Sequence, residues 1–164
     1  MKLRFTLAAA VLLAACLVAF GASRAQAQSV SSEPVISSVT GNYMMSVLKE
    51  MGFAPELTKD DDGDPLIHFQ VEGTKCSIFY FEGTDGHYQS IQYYVGYENA
   101  PTLDKINDWN RKHRFGRAYL GGDGHARMEF DVPLYGGVSE DHLQQTMRRW
   151  KDLISSFEDF LNGK

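Results

Sequence analysis

The sequence predicts an α+β domain, an antiparallel sheet carrying helices on one face with the other face partly free. Three observations carry that expectation. Between residues 53 and 97, runs of alternating apolar and polar residues are joined by turns too short for helical crossovers, so neighbouring strands run antiparallel. Near the C-terminus, Leu143, Met147, Trp150, Ile154, Phe157 and Leu161 recur at steps of 4, 3, 4, 3 and 4, the spacing of one helical face. The helical patterns fall before, between and after the strand runs, giving the order α-ββββ-α-ββ-α, and no internal repeat suggests a solenoid.

The first helix is expected over about 37–51. Ile36, Val39, Tyr43, Val47, Leu48 and Met51 mark its apolar face, and Gly52 stands where a C-terminal stop belongs. Gly41 weakens it, since an interior glycine costs about 1 kcal/mol against alanine. A short strand at 53–59 then leads to the turn Asp60-Asp61-Asp62-Gly63-Asp64. Residues 66–72 alternate, with Ile67, Phe69 and Val71 on one face; Gly73-Thr74 fits a two-residue hairpin with glycine first. Strands follow at 75–82 and 88–97, joined through Gly83-Thr84-Asp85-Gly86. Thr102 caps a second helix whose inner stripe is Leu103, Ile106, Trp109 and Asn110. Residues 117–120 and 126–132 form a hairpin around Gly121-Gly122-Asp123-Gly124, with Ala126, Met128, Phe130 and Val132 facing one way. Ser139 caps the last helix, and the acids at 140 and 141 suit its positive end.

Ahead of this domain, residues 1–27 read as a secretory signal peptide. Lys2 and Arg4 precede an apolar stretch from Leu7 to Phe20, and Ala25-Gln26-Ala27 gives an A-x-A cleavage pattern before Gln28. The stretch is shorter than the about 20 apolar residues that span a bilayer. Leu13-Ala14-Ala15-Cys16 offers an alternative, the lipobox of a lipoprotein tethered at Cys16, although the apolar run continues past the cysteine. The expected compartment is therefore periplasmic or secreted, with 28–34 a flexible lead-in and 35–164 one domain. Loss of Lys2, Arg4 and Arg24 takes the net charge from −5 to −8 over the remaining 137 residues. That balance argues against nucleic acid or an anionic membrane as a general partner. The exported form keeps one cysteine, Cys76, so neither an internal disulfide nor a paired-cysteine zinc site is available. Within an apolar strand, Cys76 reads as a small buried hydrophobe.

Catalytic signals are sparse. The acids at 60–64 are contiguous rather than alternating, and the distal Glu of an EF-hand is missing, so a turn accounts for them. His68, His87, His113, His125 and His142 are scattered, with no pair at metal-ligand spacing on one helical face. No Gly-x-Ser-x-Gly elbow is present, and the 121–124 glycines join two strands rather than opening a helix over a phosphate. Glu129 and Asp131 share a strand face, but Arg127 shares it too, as on a solvated strand. No catalytic residue, cofactor or metal is expected.

The most informative stretch runs from Ile106 to Tyr119. Trp109 belongs in the core, Asn110 can bond the following loop, and Arg111 and Arg114 suit the negative end of a helix. A functional reading of the same residues makes Trp109, Asn110, Arg111, Arg114 and Arg117 a cationic ridge receiving an acidic partner segment. Dipole complementation alone accounts for the arginines and is the stronger reading.

Asn107-x-Trp109-Asn110 and Arg114-Phe115-Gly116-Arg117-Ala118 resemble the signature of YbjN-domain proteins, bacterial proteins described as sensory transduction regulators. The likeness extends to Glu129-x-Asp131, Gly136-Gly137, Trp150, Phe157, Gly52 and the Asp62-Gly63-Asp64-Pro65 turn, covering about 35–161. It implies a fold like that of type III secretion chaperones and a non-enzymatic role in protein binding or regulation, and it carries over no catalytic residue. Some exported relatives hold a cysteine pair near the second and third strands; here Cys76 stands alone. Three roles follow as expectations: a chaperone-like protein-binding module, able to form a homodimer through its exposed sheet or helix faces; a small-molecule or ion sensor using the aromatic face of Tyr88, Tyr93, Tyr94 and Tyr97; and, last, a hydrolase.

Overall fold

The computed structural model describes residues 34–164. The leader, the Cys16 alternative and most of the lead-in lie outside the described residues. Six antiparallel strands form one sheet, β1 Glu56–Lys59, β2 Pro65–Val71, β3 Thr74–Thr84, β4 His87–Gly96, β5 Arg117–Leu120 and β6 Ala126–Pro133. They are ordered β1-β2-β3-β4-β6-β5. Helices α1 Gly41–Glu50, α2 Leu103–Lys112 and α3 Glu140–Leu161 complete the order α-ββββ-α-ββ-α, as the sequence predicts.

One face of the sheet is apolar because side chains alternate along each strand. Ile67, Phe69, Cys76, Ile78, Ile91, Tyr93, Met128 and Phe130 bury there against Leu143, Met147, Trp150, Ile154, Phe157 and Leu161, the predicted stripe of α3. Ser139 caps α3 by accepting from the His142 N–H at 3.1 Å, and Glu140 and Asp141 occupy its first turn. Tyr93 stacks on Trp150 at 5.7 Å, and its hydroxyl bonds Thr146 at 3.1 Å, so a buried polar tip is satisfied.

The first strand starts at Glu56 rather than 53, since Phe53 still bonds back to the Leu48 carbonyl at the end of α1, and three further boundaries differ from expectation for identifiable reasons. The first helix begins at Gly41, not near 37. Ile36 and Val39 lie in extended bridges to Val138 and Tyr88, and Thr40 caps the helix by accepting from the Tyr43 N–H at 3.1 Å. Gly41 is thus a first-turn residue pressed against the sheet edge, where a Cβ would meet Leu57 Cδ1 at 2.9 Å and Pro65 Cβ at 3.1 Å. The β2–β3 loop is Glu72-Gly73, both at positive φ, between the paired Val71 and Thr74. This is the two-residue arrangement whose twist matches the strands, with glycine second rather than first. The β3–β4 loop is Asp85-Gly86 alone, so β3 runs on to Thr84. Leu103, placed on the inner stripe of α2 by its spacing, is exposed at the helix start, leaving Ile106 and Trp109 as the buried residues.

Candidate functional site

The Ile106–Tyr119 stretch folds as helix, turn and edge strand, and both ends of the turn are pinned. Trp109 is fully buried, 4.7 Å from the Phe157 ring and 5.4 Å from Phe160. His113 stacks on its indole at 3.6 Å, with Nδ1 at 3.1 Å from the Trp109 carbonyl. Asn110 presents its amide to β5 as a strand would: Nδ2 donates to the Ala118 carbonyl at 2.9 Å, and Oδ1 accepts from the Ala118 N–H at 3.0 Å. The open edge of the sheet is closed there by a side chain.

The predicted cations separate. Arg111 and Lys112 both reach back to Asp108, at 2.8 and 2.7 Å, a surface cluster on α2 that holds the Asp108 carboxyl below its ordinary range. Arg117 points to the other side of the sheet and pairs with Glu129. Arg114 joins neither. It therefore sits apart from the other four residues of the expected ridge, two of which close the core and edge and two of which are ion-paired.

Arg114 instead belongs to a γ-turn centred on Phe115. The Gly116 N–H donates to the Arg114 carbonyl at 3.0 Å, and Phe115 adopts φ +75°. That left-handed form is the rare and strained one for a bulky side chain, at a cost of about 1–3 kcal/mol. Gly116 beside it is held as closely. The chain passes so close to the core that a Cβ at Gly116 would lie 2.9 Å from Met128 Sδ and 3.3 Å from Leu153 Cδ1. Strain here does not serve to bury the ring, because Phe115 remains 49% exposed. One edge packs near Phe130 at 6.0 Å, while Arg114 and Arg149 bring their guanidinium carbons to 4.9 and 4.1 Å of the ring centroid. Sequence reasoning assigns Arg149 no role; a Phe-Gly pair directly after a helix is the signal that marks the turn.

The uncovered face of the sheet carries a second polar constellation. Glu56, His68, Ser77, Tyr94, Glu129 and Arg117 stand in one row across all six strands, each opposite the next. Glu129, only 8% exposed, accepts from Arg117 and Tyr119, and Gln92 donates to Asp131 at 2.7 Å. Burial, then the bond to Glu129, pushes the Tyr119 phenol upward. Asp131 is exposed, as on a solvated strand face, but Glu129 is not: it is buried among its cross-strand donors, a correction to the solvated strand expected there. His68 Nδ1 lies 3.0 Å from Ser77 Oγ beside an open cleft of 730 Å³. A nucleophile–base pair also needs an orienting group on the second ring nitrogen and donors for an oxyanion. Among the described residues no hydrogen bond holds that nitrogen, and the ring is exposed.

Other expected features settle into structural roles. Cys76 is buried, and burial pushes its thiol up to about 12. Asp60 Oδ1 accepts from the N–H groups of Asp62 and Asp64 at 3.1 and 2.9 Å, and Asp64 accepts from the Tyr88 hydroxyl at 2.8 Å, so the acidic turn bonds itself and the sheet. Among the described residues no three His, Cys, Asp or Glu side chains converge on a metal position, and no helix is long and apolar enough to cross a membrane. The tyrosines do not share a face. Tyr88 and Tyr93 are buried in the core, whereas Tyr94 stands on the opposite side against Phe79 at 5.7 Å.

With this geometry in hand, the family model described as "YbjN: Putative bacterial sensory transduction regulator" matches residues 43–162. The chain belongs to the YbjN family. A search of curated proteins finds no match. The YbjN match spans α1 to the end of α3 and so contains the sheet, the Asn110 lock and the Phe115 turn together. The family is described as a regulator of sensory transduction.

Proposed function

We propose that this YbjN-family chain is a non-enzymatic regulator that acts outside the cytoplasm by binding another protein, with the Phe115 turn as its contact point. The observation that carries this reading is the turn itself. A strained backbone that leaves a phenyl ring half in water is a poor device for stability, and such outliers concentrate where a protein meets a ligand. Rigidity supports it further, since Trp109 with His113 on one side and Asn110 with Ala118 on the other fix the turn before a partner arrives. A preorganised contact loses little entropy on binding. The regulator description of the family and the A-x-A leader at 25–27 agree with the role and the compartment. A chaperone-like action on the partner is the finer form of the same proposal.

Phe115→Asn tests it, because asparagine tolerates the left-handed backbone while removing the ring. Losing half a phenylalanine's burial costs about 1 kcal/mol, and relief of strain returns about as much, so the variant folds. In a strain deleted for the gene, the wild-type chain is expected to restore the wild-type expression profile and Phe115→Asn to fail at equal abundance. Full restoration by Phe115→Asn would refute the assignment of the contact.

A further inference from the structure

Six arginines lie among the described residues, and four of them have a carboxylate partner: Arg111 with Asp108, Arg117 with Glu129, Arg127 with Asp123 and Arg148 with Asp141. The two without one, Arg114 and Arg149, come from different elements, a loop and α3, and meet at the same ring. Their distances to the Phe115 centroid place the two guanidiniums no more than about 9 Å apart, about one Debye length, so one short anionic segment can reach both. Both are exposed. The chain has 21 acidic residues against 16 Lys and Arg, so carboxylates are abundant, yet among the described residues none pairs with either guanidinium.

From this we infer that Arg114, Phe115 and Arg149 receive an acidic peptide segment of a partner protein. Carboxylates of the segment meet the two guanidiniums, and an apolar side chain between them covers the exposed face of the Phe115 ring. The inference rests on the protein-binding reading above and specifies the chemistry of the partner. Guanidinium recognises carboxylate through paired N–H donors, and each such contact is stronger than a neutral hydrogen bond. Two unpaired guanidiniums within reach of one segment make its binding additive over both contacts, and their exposure makes it salt-sensitive. Polyanions fit less well. The chain carries a net charge of −5, which repels an extended nucleic acid or an anionic bilayer at long range while leaving a two-arginine site open to a short acidic segment.

The probe is a short synthetic peptide with Asp and Glu flanking a single Leu, titrated into the isotope-labelled protein and followed by NMR. Expected are saturable shifts at the Phe115 and Gly116 amides and at the Nε–H groups of Arg114 and Arg149. Affinity should fall about tenfold for each of Arg114→Gln and Arg149→Gln and decline as salt is raised. Both residues are exposed, so the variants keep the wild-type amide spectrum elsewhere. Equal binding of the matched Asn/Gln peptide, shifts confined to another surface, or equally strong displacement by anionic vesicles or single-stranded DNA would each overturn the inference. So would self-association of the protein that Arg114→Gln abolishes, since the acidic segment would then be its own. If the titration fails while Phe115→Asn still fails to complement, the regulatory contact stands and only its acidic chemistry is lost.

Discussion

Asn110→Ala is the most quantitative probe of how the turn is held. The substitution deletes two hydrogen bonds, 2.9 and 3.0 Å, to the backbone of Ala118, a residue 2% exposed on the sheet's edge strand. Each neutral bond contributes about 1 kcal/mol, and a buried backbone group left without a partner costs about 1–3 kcal/mol. Alanine's better helix propensity returns about 0.6 kcal/mol at this position in α2. The net loss is therefore about 2 kcal/mol, read as a fall of about 8 °C in Tm. Urea unfolding should show a lower midpoint with the same slope. Asn110→Asp is the sharper control: it keeps the acceptor for the Ala118 N–H but sets a carboxylate against the Ala118 carbonyl, so it should lose at least as much. Asn107, exposed on the same helix, should tolerate alanine within about 0.5 kcal/mol. A cost for Asn110→Ala no larger than for Asn107→Ala would refute the claim that a side-chain amide completes the sheet edge.

Other outcomes are open to test. Gly83→Ala should destabilise by about 1–3 kcal/mol. Its Cβ would lie 2.2 Å from the Tyr88 ring, which the Asp64 bond and the bridge to Val39 hold in place; in a Tyr88→Ala background the cost should largely vanish, and additivity of the two would contradict the clash. Stability should fall from about pH 9 to 12. Burial pushes Cys76, ordinarily near 9.0, up to about 12, and Tyr93, ordinarily 10.0, up to about 12, so the unfolded chain releases these protons first and unfolding gains on alkalinisation. Cys76→Ala should remove the earliest part of that decline, and a flat profile between pH 8 and 11 would count against it. If residues 1–27 are a cleaved leader, as proposed, mass spectrometry of the protein from its native host should find Gln28 at its N-terminus; a lipidated Cys16 would instead make it a tethered protein.

Much of the fold is legible in the sequence because local and tertiary preferences agree. The stripe from Leu143 to Leu161 buries as its period predicts, and Thr102 and Ser139 cap the helices they precede. Disagreement arises where tertiary contacts decide. Ile36 and Val39 continue the helical period of α1, yet bridges to Val138 and Tyr88 claim them, a pairing separated by too much chain for a local pattern to reveal. Glu72 occupies a left-handed position that glycine would ordinarily take, which shifts the hairpin by one residue. Within the site, the core role of Trp109 and the loop bond of Asn110 follow from residue type and helix position. The separation of the arginines does not: Arg111 and Arg117 differ from Arg114 only through the carboxylates the fold sets beside them, Asp108 and Glu129. Arg149 is invisible for the opposite reason, since only packing of α3 against the turn brings it to Phe115.

The central claim, that the Phe115 turn meets a protein partner, is tested most directly by placing a photo-crosslinking phenylalanine analogue at position 115 in the native host. Irradiation is expected to give one discrete adduct that disappears when Arg114 and Arg149 are both changed to Glu, and none from the same analogue at exposed Leu103. No adduct at 115, or the same adduct from both positions, would contradict it.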